Sequence, residues 1–285
     1  MANSPLAWVT GAGGLIGNYL VQLAPRYAPA WRVRGLRRAD IDLTDFTTLQ
    51  RLYRQDRPQL IIHCAALSRS PDCEAHPEWA RRLNVEVTRQ LAELGAEAPF
   101  VWFSTDLVFD GRQGSYTEEA TPNPLSVYAE TKHAAEQVIL AHPHALVIRT
   151  SLNGGTSPTG DRGFNEQMRR AWRAGQLLRL FTDEFRSPLP ASATAQAVWE
   201  LVQREARGIY HVAGAERLSR WEIGQLVAAR CPELSPRLAA ASLQEYAGAP
   251  RPPDTSLDCT KAQQRLSFPL PGLRTWLAAH PEILF

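Results

Sequence analysis

Short apolar runs alternate with stretches whose apolar residues recur at helical spacing through the first 150 residues of the chain. Leu6–Thr10 is an apolar, β-branched run ending at glycines, and Leu15, Ile16, Leu20 and Leu23 follow at helix period. The same alternation continues with a strand over Trp31–Leu36, a helix entered through Asp42–Asp45 and running to about Tyr53, and a buried strand over Leu60–Ala66. A helix is predicted over about Pro77–Glu97, a strand over Phe100–Ser104, a turn-rich stretch over 109–125, a helix over about Val127–Ala141 and a strand over Ala145–Thr150. Strand and helix in strict succession predict an α/β fold, a doubly wound parallel sheet of the Rossmann type with helices on both faces.

The pattern loosens afterwards. Residues 153–163 (NGGTSPTGDRG) are too polar to pack and follow a strand, which suits a mobile loop over a site. Helices are expected over Met168–Leu178, Thr194–Ala206 and Arg220–Arg230, a strand over Gly208–Val212, and a proline-rich linker or clamp at Ala249–Pro253 before a final helix pair. The expected organisation is a dinucleotide-binding domain over 1–150 with returning elements at about 190–212. A smaller C-terminal substrate lobe would be drawn mainly from 151–189 and 213–285.

Between the first strand and helix, Gly11, Gly14 and Gly17 leave a turn without side chains, so a backbone can approach a pyrophosphate closely and a helix N-terminus can meet it. The cofactor is chosen at the end of the second strand, where a carboxylate would bind a ribose 2′-OH and arginine a 2′-phosphate. Arg37 and Arg38 stand there with no carboxylate, which favours NADP (as NADPH) and leaves NAD as the alternative. Asp42 either faces the adenine or caps its helix.

Tyr128 and Lys132 lie four apart on a predicted helix, hence on one face. An ammonium near a phenol favours the phenolate and lets the pair deliver a proton to an alkoxide. Only two of the 31 basic residues are lysine, Lys132 and Lys261, so an ammonium at this position is a specific choice. With seven tyrosines in 285 residues, chance predicts about 0.05 such pairs.

These glycines, the Tyr128–Lys132 pair and Ser104-Thr105-Asp106 together resemble an extended short-chain dehydrogenase/reductase. Within that group Ser104–Gly111, Val147–Ser151 and Arg251-Pro252 with Leu257-Asp258 resemble the dTDP-4-dehydrorhamnose reductase family over nearly the whole chain. The resemblance implies that Thr105 bonds the substrate carbonyl, Tyr128 protonates it, and Lys132 binds the nicotinamide ribose. It implies Gly14, Leu15 and Ile16 at the pyrophosphate, Asp42 and Leu43 at the adenine, and Ala65, Ala66 and Ser68 along the middle of the dinucleotide. Ser104 and Asp106 would line the sugar site, Leu152 would lie near the sugar, and Arg251 would meet the nucleotide diphosphate.

The implied activity is NADPH-dependent reduction of a 4-keto nucleotide sugar, in the manner of deoxysugar biosynthesis. Dehydratases of this fold resemble Thr-Asp-Glu where this chain has Thr105-Asp106-Leu107, and leucine cannot take a proton. Epimerases resemble tightly held NAD enzymes, against Arg37 and Arg38. Leu107 and Leu152 replace residues that are aromatic in the family, and Arg186 replaces a small one; it is expected either to meet an acidic group or to lie on the surface. The family also resembles the regulatory β subunit of methionine adenosyltransferase, a binding partner rather than an enzyme, and fold alone does not decide between them.

Composition narrows the rest. A formal charge of +2, from 31 basic against 29 acidic groups, supplies no polyanion-binding field, so no nucleic-acid partner is expected. The longest nearly uninterrupted apolar stretch, Leu60–Leu67, is far short of the roughly 20 residues of a membrane span, and the start MANSPLAWVTGAGG carries no secretory pattern. A cytoplasmic location is the expectation, with a homodimer left open. Cys64, Cys73, Cys231 and Cys259 are too scattered for a zinc knuckle or disulfide framework, and His63 and His211 read as packed residues, so no metal is expected.

Overall fold

The computed structural model describes residues 4–283; residues 1–3 and 284–285, which end the two expected domain ranges and begin the start segment read above, lie outside the described residues. In chain order the first half comprises β1 (Leu6–Thr10), α1 (Leu15–Tyr27), β2 (Arg32–Leu36), α2 (Phe46–Asp56), β3 (Leu60–His63), α3 (Ser70–Ala75), α4 (Pro77–Arg81), a π turn (Arg82–Glu86), α5 (Val87–Leu94), β4 (Phe100–Thr105), α6 (Val127–Leu140) and β5 (Ala145–Thr150). The second half adds β6 (Asn153–Gly154), α7 (Phe164–Arg173), β7 (Leu177–Phe181), β8 (Phe185–Arg186), β9 (Leu189–Pro190), α8 (Ala191–Gln203), β10 (Gly208–His211), β11 (Leu218–Ser219), α9 (Arg220–Ala228), β12 (Arg237–Ala241), α10 (Thr260–Gln263) and α11 (Leu273–Ala279).

Six strands form one parallel sheet in the order β10-β5-β4-β3-β1-β2. Because strand side chains alternate, β1 sends Val9 to one face and Trp8 to the other, and both are fully buried. On the first face Val9, Ile62, Val101 and Ile148 pack with Leu20 of α1 and Trp199 of α8. The Trp199 indole nitrogen donates to the Leu20 carbonyl at 3.0 Å, which satisfies the one polar atom that this buried ring carries. On the second face Trp8, Ile61, Phe100, Trp102 and Val147 meet Leu49, Leu91 and Ile139 of α2, α5 and α6. Burial on both faces explains why these strands read as near-continuous apolar runs.

A separate core joins Phe164, Met168, Trp172, Leu180, Ile223, Val227, Leu273 and Leu277. It draws on α7, β7, α9 and α11, and β7 pairs in parallel with β12. Of the tryptophans expected in the interior, Trp102, Trp172 and Trp199 are buried, whereas Trp221 is half-buried against this third cluster.

Three expectations are corrected. The helix expected over 77–97 is interrupted: Pro77 opens a new helix, and the π turn swings Asn84 inward. The Asn84 amide accepts from Leu67 N at 2.8 Å and donates to Leu67 O at 3.1 Å and Thr131 Oγ1 at 3.0 Å, latching the chain after β3 to α6. The helix expected over 168–178 ends early because Gly175 takes the left-handed conformation (φ +68°), and Leu177–Phe181 becomes a strand held by a partner some 60 residues away.

The loop 153–163 is pinned rather than free. Buried Glu166 accepts from Ser157 N and Oγ (both 2.7 Å), Arg162 N (2.9 Å) and Gly163 N (2.8 Å), while Asn165 bonds both Gly155 N and O. All four cysteines are free thiols. No described helix is long and apolar enough to cross a membrane.

Candidate active site

The glycine turn lies at the carboxyl end of β1, where an open α/β sheet forms its crevice. Gly11 has φ +67°, and a Cβ there would stand 2.7 Å from Ala65 N and 2.8 Å from Cys64 C, so neither the conformation nor the space admits a side chain. Gly17 is as constrained, since its Cβ would run into the Gly11 carbonyl. Gly14 is the N-cap of α1 with no side-chain cap, and no acidic residue occupies the first turn with Leu15 and Ile16. The helix therefore presents free N–H groups and the positive end of its dipole toward bare backbone, a cradle that fits a pyrophosphate. Ala65 and Ala66 border it half-buried and Ser68 lies exposed beyond them.

At the end of β2 the structure departs from the count of two guanidiniums and no carboxylate. Asp40 folds back so that its Oδ2 accepts from Arg37 N at 2.9 Å and Arg37 Nε at 3.0 Å, with Arg37 Nη2 3.2 Å from Oδ1. The Arg37 hydrogen bonds lower the Asp40 pKa. Arg37 is thus held by Asp40, while the charge of Arg38 acts on the Asp42 carboxylate and helps to lower its pKa, behind the hydrogen bonds from Thr44. Asp42 does not cap the helix: its Oδ1 accepts from Thr44 N (2.9 Å) and Oγ1 (2.7 Å), and Asp45 caps α2 through Thr48 N. Leu43 beside it is half-buried.

Helix α6 starts where Ser126 accepts from Ala129 N, and its inward face carries Tyr128, Lys132 and Glu136 four residues apart, all buried. Burial pushes the Tyr128 phenol well above its ordinary pKa; the Thr105 side chain works against this, Asp106 and Cys73 add to it, and the Arg186 guanidinium opposes it. The Lys132 ammonium donates to Phe103 O at 2.5 Å and sits 3.9 Å from the centroid of the Trp102 ring. Burial drives it down to about 7, with the Glu136 carboxylate pulling the other way. The Arg186 guanidinium is thus one cation that favours phenolate at residue 128, and a residue that the helical spacing could not indicate.

Glu136 is the anchor behind the lysine. Burial alone would raise its pKa, yet the paired Arg149 guanidinium, with both hydrogen bonds at 2.9 Å, holds it at about 2, aided by His133 and Ser104. Ser104 thus spends its hydroxyl on Glu136. His63 and His211 are packed: burial lowers them to about 3 and about 4, and His63 spans Thr10 Oγ1 (2.6 Å) and Thr88 Oγ1 (3.1 Å).

Asp106 and Arg186 meet in the interior, Nε and Nη2 lying 2.6 Å and 2.5 Å from the carboxylate, which removes the reading of Arg186 as a surface residue. Arg251 pairs in the same bidentate way with buried Glu184 at 2.8 Å and 2.9 Å. Arg220 stands nearby and is pushed down to about 10 by burial and by the charges of Arg186 and Arg251. Leu152 is half-buried against the third core. Among the described residues no group of three or more His, Cys, Asp or Glu side chains could hold a metal ion.

Sequence reasoning missed Asp40, Glu136, Glu184, Ser151 and Thr255. Only Glu136 left a signal, its i+4 spacing from Lys132. The ion pairs around Arg186 and Arg251 join residues 80 and 67 positions apart and leave none.

The family described as RmlD substrate binding domain matches residues 7–284. A probable low-salt glycan biosynthesis reductase, Agl14, of Haloferax volcanii is 30% identical over 96% of each chain. The β subunit of methionine adenosyltransferase 2 of Xenopus tropicalis is 28% identical over 90% of this chain and 81% of its own. The crystal structure of a hypothetical dTDP-4-dehydrorhamnose reductase from Sulfolobus tokodaii superposes with a TM-score of 0.83 at 30% identity, covering 94% of this chain and 97% of its own.

Proposed function

The chain belongs to the RmlD substrate binding domain family, within the extended short-chain dehydrogenases/reductases, and from that premise we propose that it is an NADPH-dependent reductase of a 4-keto nucleotide sugar. The observation that carries this reading is that Tyr128 and Thr105 are both buried at the sheet end that also holds the glycine cradle, with Thr105 near enough to act on the phenol. Two hydroxyls converging on one carbonyl oxygen can polarise it and then protonate it.

In this reading the backbone at Gly11–Gly17, with Leu15 and Ile16, holds the pyrophosphate. Arg38, with Arg37, faces the 2′-phosphate, and Asp42, Leu43, Ala65, Ala66 and Ser68 line the remainder of the dinucleotide. When bound, the dinucleotide supplies the hydride. Lys132 holds the nicotinamide ribose, Thr105 bonds the sugar carbonyl, and Tyr128 Oη gives its proton to that oxygen. Ser104 acts from behind, through Glu136, while Leu152 and Arg251 belong to the wall on the sugar and diphosphate side. Residues 151–189 and 213–285 are assigned to that substrate lobe.

The test is consumption of NADPH by purified protein on addition of a 4-keto nucleotide sugar. Tyr128→Phe should lower kcat by about 10²–10⁴-fold with NADPH affinity retained. The methionine adenosyltransferase relatives support a second reading, a dinucleotide-binding subunit without turnover. NADPH binding with no consumption on any nucleotide sugar, together with copurification of another protein, would select it.

A further inference from the structure

The chain from 64 to 68 leads out of β3 and carries Ala65, Ala66 and Ser68, which line the middle of the dinucleotide in the proposed reading. Two ties hold it. Ala65 N donates to Thr10 Oγ1 at 3.4 Å, beside the turn at Gly11. Two residues on, the Asn84 side chain takes both Leu67 N and Leu67 O. The His63 imidazole, at the end of β3, stands between the ties, with Nδ1 2.6 Å from Thr10 Oγ1 and Nε2 3.1 Å from Thr88 Oγ1. Thr10, His63, Asn84 and Thr88 are each exposed by 1% or less, so their donors and acceptors must be matched within the interior.

That matching fixes the protons. Trp102 Nε1 can only donate and lies 3.2 Å from Thr88 Oγ1, while the Thr88 hydroxyl donates to Asn84 O at 2.8 Å. With its one proton given, Thr88 can only accept from His63, so Nε2 carries the imidazole hydrogen. Burial, together with the charge of Lys132, lowers this imidazole to about 3, so it stays neutral and has a single N–H. Nδ1 is therefore bare and takes the Thr10 proton, which leaves the Thr10 oxygen to face Ala65 N. The opposite tautomer would ask one Thr88 proton to serve two acceptors.

We propose that His63 is a positioning residue for the cofactor cradle: a single imidazole, accepting on one side and donating on the other, sets both ties on segment 64–68 and so fixes how closely that wall stands to the glycine turn. The inference rests on the turn being the dinucleotide cradle. The approach there is close, since a Cβ on Gly11 would lie 2.7 Å from Ala65 N. If the Thr10 hydroxyl turns away, Ala65 N loses its acceptor and the wall is released from Gly11. A pyrophosphate would then meet the head of α1 on one side and no fixed wall on the other.

The experiment reads NADPH affinity by calorimetry beside the urea midpoint. A residue that only supports the fold lowers the midpoint and leaves the affinity of the folded chain alone. His63→Leu removes both contacts, and Thr10→Val removes the hydroxyl while keeping the branched shape. Each should weaken NADPH binding about tenfold, with Thr10→Ser within about twofold of the original. Because the two residues act through one hydrogen bond, the double variant should bind no more weakly than His63→Leu. Lowered midpoints with unchanged affinity in the single variants overturn the proposal, and so does a double variant whose losses multiply. If His63→Leu does not fold, Thr10→Val set against Thr10→Ser carries the affinity test.

A second measurement needs no cofactor. The nitrogen-15 resonances of the His63 ring, assigned by their loss in His63→Asn, should show a protonated Nε2 and a bare Nδ1, unchanged from about pH 8 to about pH 5. A protonated Nδ1 rejects the proposal. Should the wild-type chain bind neither NADPH nor NADH, the functional reading fails and the role of His63 in the cradle goes with it. Wild-type binding with unaltered affinity in Thr10→Val defeats this inference alone.

Discussion

The glycine turn and the charged cluster around Asp106 both crown parallel strands, but they are held by opposite means. The turn works by leaving atoms out: at Gly11 and Gly17 no Cβ fits, so backbone N–H groups stand open at the head of α1. The cluster works by filling every valence: Asp106 takes five hydrogen bonds, two from Arg186 and one each from Thr105, Ser151 and Thr255, Glu184 takes a bidentate arginine, and Glu136 another. A site made of absences is damaged by adding an atom, and a site made of buried charges by removing one.

That contrast sets the size of the expected effects. Gly11→Val, which forces a branched side chain into φ +67° and against the Ala65 backbone, should lower NADPH affinity by about 100-fold or more, measured by titration calorimetry. A near-normal affinity would mean that the turn is not the cradle. Glu136→Ala leaves Arg149 buried and unpaired and should cost about 3–5 kcal/mol in urea unfolding, with Glu136→Ala/Arg149→Met recovering part of it. Should the single variant cost nothing, the buried pair would be a bystander.

The lysine gives a pH signature. Its pKa falls from 10.5 unfolded to about 7 folded, so between those values the unfolded chain binds the extra proton and stability rises with pH. Urea midpoints from pH 7 upward should show that rise in the wild type and a flatter dependence in Lys132→Met. The smallest effect belongs to the exposed corner at β2: Asp40→Asn frees Arg37 and should shift the ratio of NADPH to NADH affinity toward NADPH by about threefold. A shift in the other direction would mean that Asp40 serves the phosphate site by orienting Arg37 instead of competing for it.

Neither half of the site was equally open to reading from residues alone. The first strand, its glycines and α1 occupy 22 consecutive residues, and the Tyr128–Lys132 pair spans one helical turn, so period and spacing were enough to expect both. The helices over 77–97 and 168–178 were misjudged where backbone choices depend on remote partners: Asn84 turns inward to reach Leu67 and Thr131, and Leu177–Phe181 extends because β12 lies beside it. The corner at Arg37 was misjudged for a subtler reason, since Asp40 is near in sequence but a turn decided whether its carboxylate pointed at the strand end.

What the chain alone determined is therefore its local grammar: alternating strands and helices, a turn that no side chain can enter, and a phenol one turn from an ammonium. Those follow from steric and periodic rules acting over a few residues. The tertiary structure decided which charges would share the interior, bringing Arg186 to Asp106 across 80 positions and Thr255 to the same carboxylate across 149. Pairings of that range carry no periodicity, because they are selected by the cost of leaving an ion buried without a partner, a cost that exists only once the chain has closed around it.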